Sequence, residues 1–524
     1  MGQGLLLWYK EKCKPGWKIA FVATFVVGIL VHIYKFTNTA LVGDSLLNFY
    51  FDQDMTVSGR WFLQYACGIS SYFDLPWLNG LFSIIYISLT MVVITEIFKM
   101  TNPVLICVCS AFIVTYPAVT STLFYGFTAD GYMMAMLLAS VGVYLLRFSE
   151  NRVTRLILAG ICLCLSCGIY QAYISFALVL LTFTFWQEVL ENKKETKEVL
   201  KWVGTRAAVV IGALASYWII WKICLKVKNL EAVDYQGIDT VGQISVSGLF
   251  DSAVEMAETL VKVIFDWDPT VYGINFIAVM NIIFLAAFGV ITVVALVKSG
   301  IKKNKAQLVL FLLSIVAIPF FICMWQFTSA DLKYHILMLQ SVSLIFIFTA
   351  VLFERWAKVK LRSALGILLT VMVVYFSVEA NISYYHFNIA FEKSHAIASE
   401  MVHDIQRVGI DENVKKLAVV GYRGGREFSA ETKNYFRYSY IGHMRGMDSI
   451  TRNEKAYCFI EHYFDTGLEP VDDEYADELF FSDEVKAMPI WPAEGSVKVI
   501  GDTMVVKLNT ELFDPLTVEM KVSP

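Results

Sequence analysis

The chain has 524 residues, 57% hydrophobic and only 17% charged, with a formal net charge of -4 and a mean hydropathy of +0.57. That balance excludes an ordinary water-soluble globular protein, and the lack of a basic excess argues against a nucleic-acid partner. Apolar runs of about 20 residues recur, the length a helix needs to cross roughly 30 Å of hydrocarbon. The chain therefore reads as an α-helical polytopic membrane protein and not as a barrel of short alternating strands.

In chain order, apolar spans are predicted near 17–36, 78–98, 103–119, 130–147, 156–169, 171–187, 203–224, 272–297, 307–327, 333–353 and 363–380, about 11 transmembrane helices. The first run follows basic residues and has no convincing cleavage site, so it is expected to remain as a helix. Lys and Arg mark one set of short loops: Arg147, Arg152 and Arg155; Lys193, Lys194, Lys197 and Lys201; Lys298, Lys302, Lys303 and Lys305; Arg355, Lys358, Lys360 and Arg362. The positive-inside bias puts these loops and the N-terminus in the cytoplasm. Both flanks of 156–187 are basic, which requires an even number of crossings. Two short helices meeting at GIYQAY (168–173) satisfy this and put Tyr170 and Gln171 at a turn on the outer side.

Three outer segments follow from this topology: a first loop, 37–77, with a stretch suited to an interfacial helix; 120–129; and a long loop, 225–271. Residues 1–380 form the membrane domain. Residues 381–524 change character, with an acidic run from Glu461 to Glu484 and strand-like pieces at 417–422, 496–501, 504–508 and 516–522. They suit a small α/β or α+β extracytoplasmic domain. The ten cysteines form no framework. Cys107, Cys109, Cys162, Cys164, Cys167 and Cys323 lie within apolar runs, where small core residues are expected.

Charge is costly in such a chain, so the carboxylates of GDSLLNFYFDQDMTVSGRW stand out. Asp44 directly follows the first span and can serve as a base toward an acceptor hydroxyl. Asp52 and Asp54 could assist or, with Asp44, ligate a divalent cation such as magnesium or manganese; all three equally suit a solvated loop. Asp130 opens the fourth span in TADGYMMAMLLA, as a helix-terminal carboxylate or as a further acid. Arg60, Lys333 and His335 are outer-side cations able to hold a lipid phosphate, although a lysine there also snorkels. Trp61, Tyr170 and Gln171 complete the candidate substrate-binding set. GYRGG (421–425) lacks a dinucleotide-binding spacing and reads as a turn.

GDSLLNFYFDQDMTVSGRWFLQY, TADGYMMAMLLA and CGIYQAYISF together resemble the glucosyltransferase II family, bacterial O-antigen and surface-glycan glucosyltransferases, over roughly residues 20–380. The resemblance implies a GT-C-like fold and a hexosyltransferase of the bacterial plasma membrane. Such an enzyme moves a hexose, glucose above all, from a polyprenyl-phosphate carrier to an extracytoplasmic cell-surface glycan. A polyprenyl-phosphate glycosyltransferase and a flippase would act upstream. It also implies an acidic catalytic residue in the first outer loop, matching Asp44; the paired acids common in that family are absent, since Ser45 follows. The alternative from another class is a transporter or flippase of a lipid-linked saccharide. That would show paired halves with broken helices, and no such repeat is seen. A structural scaffold would leave Asp44, Asp130 and GIYQ without a joint purpose.

Overall fold

The computed structural model describes residues 13–41, 43–48, 51–149, 152–191, 194–232, 246–265, 276–301, 304–327, 334–421, 450, 453–513 and 520–522. They divide into two compact units: 13–37 with 52–381, and 38–51 with 382 onward.

The first unit is helical. Its elements are α1 (Pro15–Thr37), α3 (Leu63–Cys67), α4 (Pro76–Phe98), α5 (Pro103–Thr115), α6 (Pro117–Phe124), α7 (Gly126–Arg147), α8 (Val153–Ile169), α9 (Tyr173–Leu190), α10 (Thr196–Lys228), α11 (Val246–Phe265), α12 (Phe276–Ser299), α13 (Lys305–Ile322), α14 (Ser343–Trp356) and the start of α15 (Val359–Val408). The short helix α2 (Gly43–Leu47) belongs to the other unit. The helix starts follow local chemistry. Proline opens α1, α4, α5 and α6, where its missing N–H costs nothing. Asn102 accepts from the amides of Val104 and Leu105 at the head of α5, and Glu195 with Glu198 forms a capping box on α10.

Among the described residues, nine helices are long and apolar enough to cross a membrane, or ten if the bent pair α5–α6 is one span. The remaining predicted span, 156–169, corresponds to α8, which is helical but has 17 residues, about 25 Å at 1.5 Å per residue, short for a full crossing. The helix break between α8 and α9 is where GIYQAY predicts it, with Tyr170 extended at φ -156° and ψ 118°. Two loop predictions need correction. Segment 120–129 is mostly helical, because Pro117 restarts the chain as α6 and α7 begins at Gly126. Among the described residues of 37–77 no single interfacial helix forms: Gln53, Ser71 and Tyr72 take positive φ, and the chain folds into turns and short helices.

The centre of this unit is the Ile336–Trp356 span together with α9, the spans whose residues are most buried. Ring pairs lock it: Phe183 on Phe348 at 4.4 Å, Phe112 on Phe346 at 4.7 Å, and Trp186 against Phe311 at 4.3 Å. At the basic-loop end, Glu354 accepts from the amides of Thr101 (2.8 Å) and Asn102 (2.7 Å). There too Arg355 pairs with Glu191 at 3.0 Å, and Arg206 donates to the Leu146 carbonyl at 3.0 Å.

The second unit holds β1 (Lys416–Val420), α16 (Asn453–Phe464), β2 (Glu469–Pro470), α17 (Asp473–Phe481), α18 (Asp483–Lys486), β3 (Val497–Ile500) and β4 (Thr503–Lys507), then a hairpin of β5 (Glu511–Phe513) and β6 (Met520–Val522). The sheet order is β2-β1-β4-β3, with β1 parallel to both β2 and β4 and β3 antiparallel to β4. Strand β4 is buried along its length. Its Lys507 is tolerated there because the ammonium donates to the carbonyls of Val485, Lys486 and Met488 at 2.8, 3.0 and 2.8 Å, which end α18.

Candidate active site

In the first unit the loop that follows α1 in sequence is gripped by one face of α10. Tyr217, Trp221 and Lys228 stand at i, i+4 and i+11, which puts them on one side of that helix. The Tyr217 hydroxyl donates to the Gly59 carbonyl at 3.1 Å, the Trp221 indole to the Thr56 carbonyl at 2.7 Å, and the Lys228 ammonium to Asp54 Oδ2 at 2.5 Å. The other Asp54 oxygen accepts from the Thr56 amide (3.2 Å) and hydroxyl (2.5 Å), an Asx-type turn. Burial pushes the Asp54 carboxyl up, but the hydrogen bonds and charge of Lys228 and the Thr56 groups outweigh it and hold the group below the usual carboxylate range. Asp52 accepts from the Asp54 amide at 3.1 Å and from Gln64 at 2.5 Å.

The α8–α9 break meets this loop. Gln171 Nε2 donates to the Ser58 carbonyl at 2.9 Å and to the Tyr217 hydroxyl at 3.0 Å. Gly59 has a φ of 82°, and a Cβ there would lie 2.6 Å from the Tyr217 hydroxyl and closer still to Gln171 Nε2. Only glycine fits this conformation and this gap. The next residue, Arg60, donates to the Tyr132 hydroxyl at 3.2 Å and lies 4.9 Å over the Tyr170 ring. Tyr170 in turn stacks on Tyr132 at 4.4 Å. Trp61 is buried against Gly168, and the Phe62 amide donates to the Gly168 carbonyl at 2.8 Å. From the far side, the Trp325 indole donates to the Gln171 carbonyl at 3.2 Å. Arg60, Trp61, Tyr170, Gln171 and Asp54 thus form one connected set.

The other candidates lie elsewhere. Asp130 is buried in the same unit but does not open its helix: α7 begins at Gly126, and Asp130 sits a turn inside, its charge felt by Cys67 and Tyr86. The helix starts after Tyr125, which leaves helical geometry; Gly126 lies against the Asp74 carboxylate. His335 heads a 3₁₀ turn, accepting at Nδ1 from the Leu337 amide at 3.3 Å, with Ser121 Oγ at 3.5 Å. Lys333 lies outside the described residues, as do 422–425 of the glycine-rich turn and 233–245 and 266–275 of the long loop. Asp44 is in the second unit, on α2, 54% exposed, with Lys455 of α16 at 3.3 Å from Oδ1.

Asp52 and Asp54 do not fit a metal cage, since each oxygen already accepts from an amide, a carboxamide, a hydroxyl or an ammonium. Among the described residues no three His, Cys, Asp or Glu side chains converge on a metal-sized site.

Sequence reasoning missed Tyr132, Tyr217, Trp221, Lys228 and Trp325, which sit in or at the ends of apolar segments and read as belt aromatics or anchors. It also missed Asp74, which couples electrostatically to Lys35, buried within α1. The spacing Tyr217, Trp221, Lys228 was the available signal.

The first unit is a many-span helical bundle that carries this polar, aromatic and arginine-containing cluster, and the second is a small α/β unit, an architecture that fits a polytopic membrane protein. The family model described as Glucosyl transferase GtrII matches residues 33–353, and the chain belongs to that glucosyltransferase family; it is a membrane glycosyltransferase. No curated protein and no solved structure matches it.

Proposed function

We propose that the protein transfers a hexose, glucose by its family, from a polyprenyl-phosphate carrier to a cell-surface glycan on the outer side of the bacterial plasma membrane, as a GT-C-like enzyme. The observation that carries this reading is the connected Arg60, Tyr132, Tyr170 and Gln171 set, clamped to α10, in a chain of that family. A guanidinium suits a phosphate, and aromatic faces with a carboxamide suit a sugar. The basic loops support an N-terminus inside and a C-terminal unit outside.

Asp44 is the proposed base. It is 54% exposed, with Lys455 at Oδ1 only, whereas both oxygens of Asp52 and Asp54 accept hydrogen bonds and Asp130 is buried. The acceptor hydroxyl gives its proton to Asp44 as its oxygen bonds to the anomeric carbon. The bond from that carbon to the phosphate oxygen breaks, and polyprenyl phosphate leaves with the electron pair. Arg60, with Lys333 and His335, balances the charge gathering on the phosphate. Asp130 is the secondary acid; Asp54, first named as another, instead holds the loop that carries Arg60, and Trp61 shapes the sugar site. The donor would come from a polyprenyl-phosphate glycosyltransferase and reach the outer leaflet through a flippase.

The test is transfer from labelled polyprenyl-phosphate glucose to glycan by purified protein in lipid nanodiscs, beside Asp44→Asn. Loss of a base of this kind costs about 10²- to 10⁴-fold. Undiminished transfer by the variant removes Asp44 from the role. Movement of the lipid between leaflets without transfer favours a flippase instead.

A further inference from the structure

We propose that α11 is an interfacial helix, lying in the plane of the membrane boundary with one face in the acyl chains. Its 20 residues carry three distinct faces. Ser252 and Val263 are buried against the protein, with Met256 and Leu260 partly buried beside them. Asp251, Glu255, Glu258 and Lys262 share a second face. Phe250, Val254 and Val261 share a third and remain 71, 43 and 42% exposed. A helix in water has no reason to present a third, apolar face in addition to its packing face; a helix at a lipid boundary does.

Its contacts fix its level. The C-terminal turn of α11 meets α12, where Asn281 donates to the Ile264 carbonyl at 2.7 Å. Asn281 is five residues into that span, about 8 Å from its start. The middle of α11 meets the chain just past the end of α13, where Gln326 donates to Glu255. The start of α12 and the end of α13 are the same end of two antiparallel spans, so α11 runs across their mouths at the depth where hydrocarbon gives way to headgroups. The apolar stripe is continuous in kind with the exposed lipid-facing residues of α12, including Phe276, Val279 and Ile283. The neighbouring Trp325 holds the Gln171 carbonyl, so α11 flanks the same end of the unit as the candidate active site. Three carboxylates against one ammonium make headgroup charge a poor attractor; the partner is the acyl region of the bilayer. This assigns neither donor nor acceptor and stands apart from the proposed reaction.

The test places photoreactive benzoyl-phenylalanine singly at positions 250, 254, 251 and 258 of the full chain. Each protein is reconstituted with alkyne-tagged phosphatidylcholine and checked by gel filtration. Lipid adducts at 250 and 254 should exceed those at 251 and 258 by about fivefold or more, the contrast expected of a one-sided apolar face. Replacing a third of the lipid by phosphatidylglycerol should leave the yields unchanged. Equal yields at all four positions, adducts at 250 and 254 to a second copy of the chain, or adducts that require the anionic lipid would each overturn the proposal.

Discussion

Gly59→Ala probes the clamp on the candidate site with the smallest possible change. The left-handed conformation at φ 82° costs an alanine about 1–2 kcal/mol. The added methyl also enters the space of Gln171 Nε2 and the Tyr217 hydroxyl. To clear it, the chain must give up Tyr217 to Gly59, Gln171 to Ser58 or Gln171 to Tyr217, each worth about 1 kcal/mol net. Losing two or three of these with the backbone strain totals about 4 kcal/mol. Because the 52–61 loop can release locally, the cost appears as loss of the clamped state before it appears as unfolding. At about 1.4 kcal/mol per tenfold, sugar transfer should fall by several hundredfold while the thermal midpoint in detergent drops by only a few degrees. Gly59→Asn separates the causes: asparagine tolerates the backbone but keeps the collision, so it should be nearly as impaired as alanine. Transfer by Gly59→Ala within threefold of the parent would refute the reasoning, as would a Gly59→Asn variant that behaves like the parent.

Other expectations follow from the same geometry. Lys228→Met removes a partly exposed ion pair worth about 1 kcal/mol and leaves Asp54 its Thr56 bonds, so thermal stability at neutral pH should fall by a small amount measurable by scanning fluorimetry. The folded Asp54 pKa is lowered, so its contribution is present above the unfolded carboxylate pKa and lost as pH falls through the folded one. Stability followed downward from pH 5 should therefore decline less in Lys228→Met than in the parent; parallel declines would count against the pair. Arg60→Lys keeps the charge but loses the planar stack on Tyr170 and the reach to Tyr132, so transfer should drop at least about tenfold; full activity would show that charge alone suffices. Gly126→Ala drives a methyl into the Asp74 carboxylate and should destabilise the protein by about 1–3 kcal/mol, the range of overpacking at a buried site. An unchanged melting temperature would show that Asp74 moves aside freely.

The helical architecture was legible because hydrocarbon thickness imposes a length that composition alone reveals, and charge bias then forces the break at GIYQAY. Arg60, Tyr170 and Gln171 could be named once that topology stood: Arg60 is a cation in the first outer loop, and Tyr170 and Gln171 lie at the turn between two spans. What could not be read was pairing. The partner of Asp54 is 174 positions away in Lys228, and an isolated lysine at a span end has the same local signature whether it snorkels or clamps a loop. Tyr132 and Tyr217 are likewise indistinguishable from belt tyrosines until the opposing loop is placed. Asp130 shows the limit from the other direction. Its nearness to a predicted span boundary made it look like a helix-opening carboxylate, yet the helix begins at Gly126, after Tyr125 leaves helical geometry, which no periodicity encodes. The acids of the first loop are separated by use and not by sequence. Asp52 and Asp54 spend their oxygens holding the turn that presents Arg60, whereas Asp44 is more than half exposed with Lys455 at one oxygen, and the proposed reaction gives proton transfer to Asp44. That division is why Asp44→Asn and Gly59→Ala should fail differently: the first with the 52–61 clamp intact, the second with its base intact.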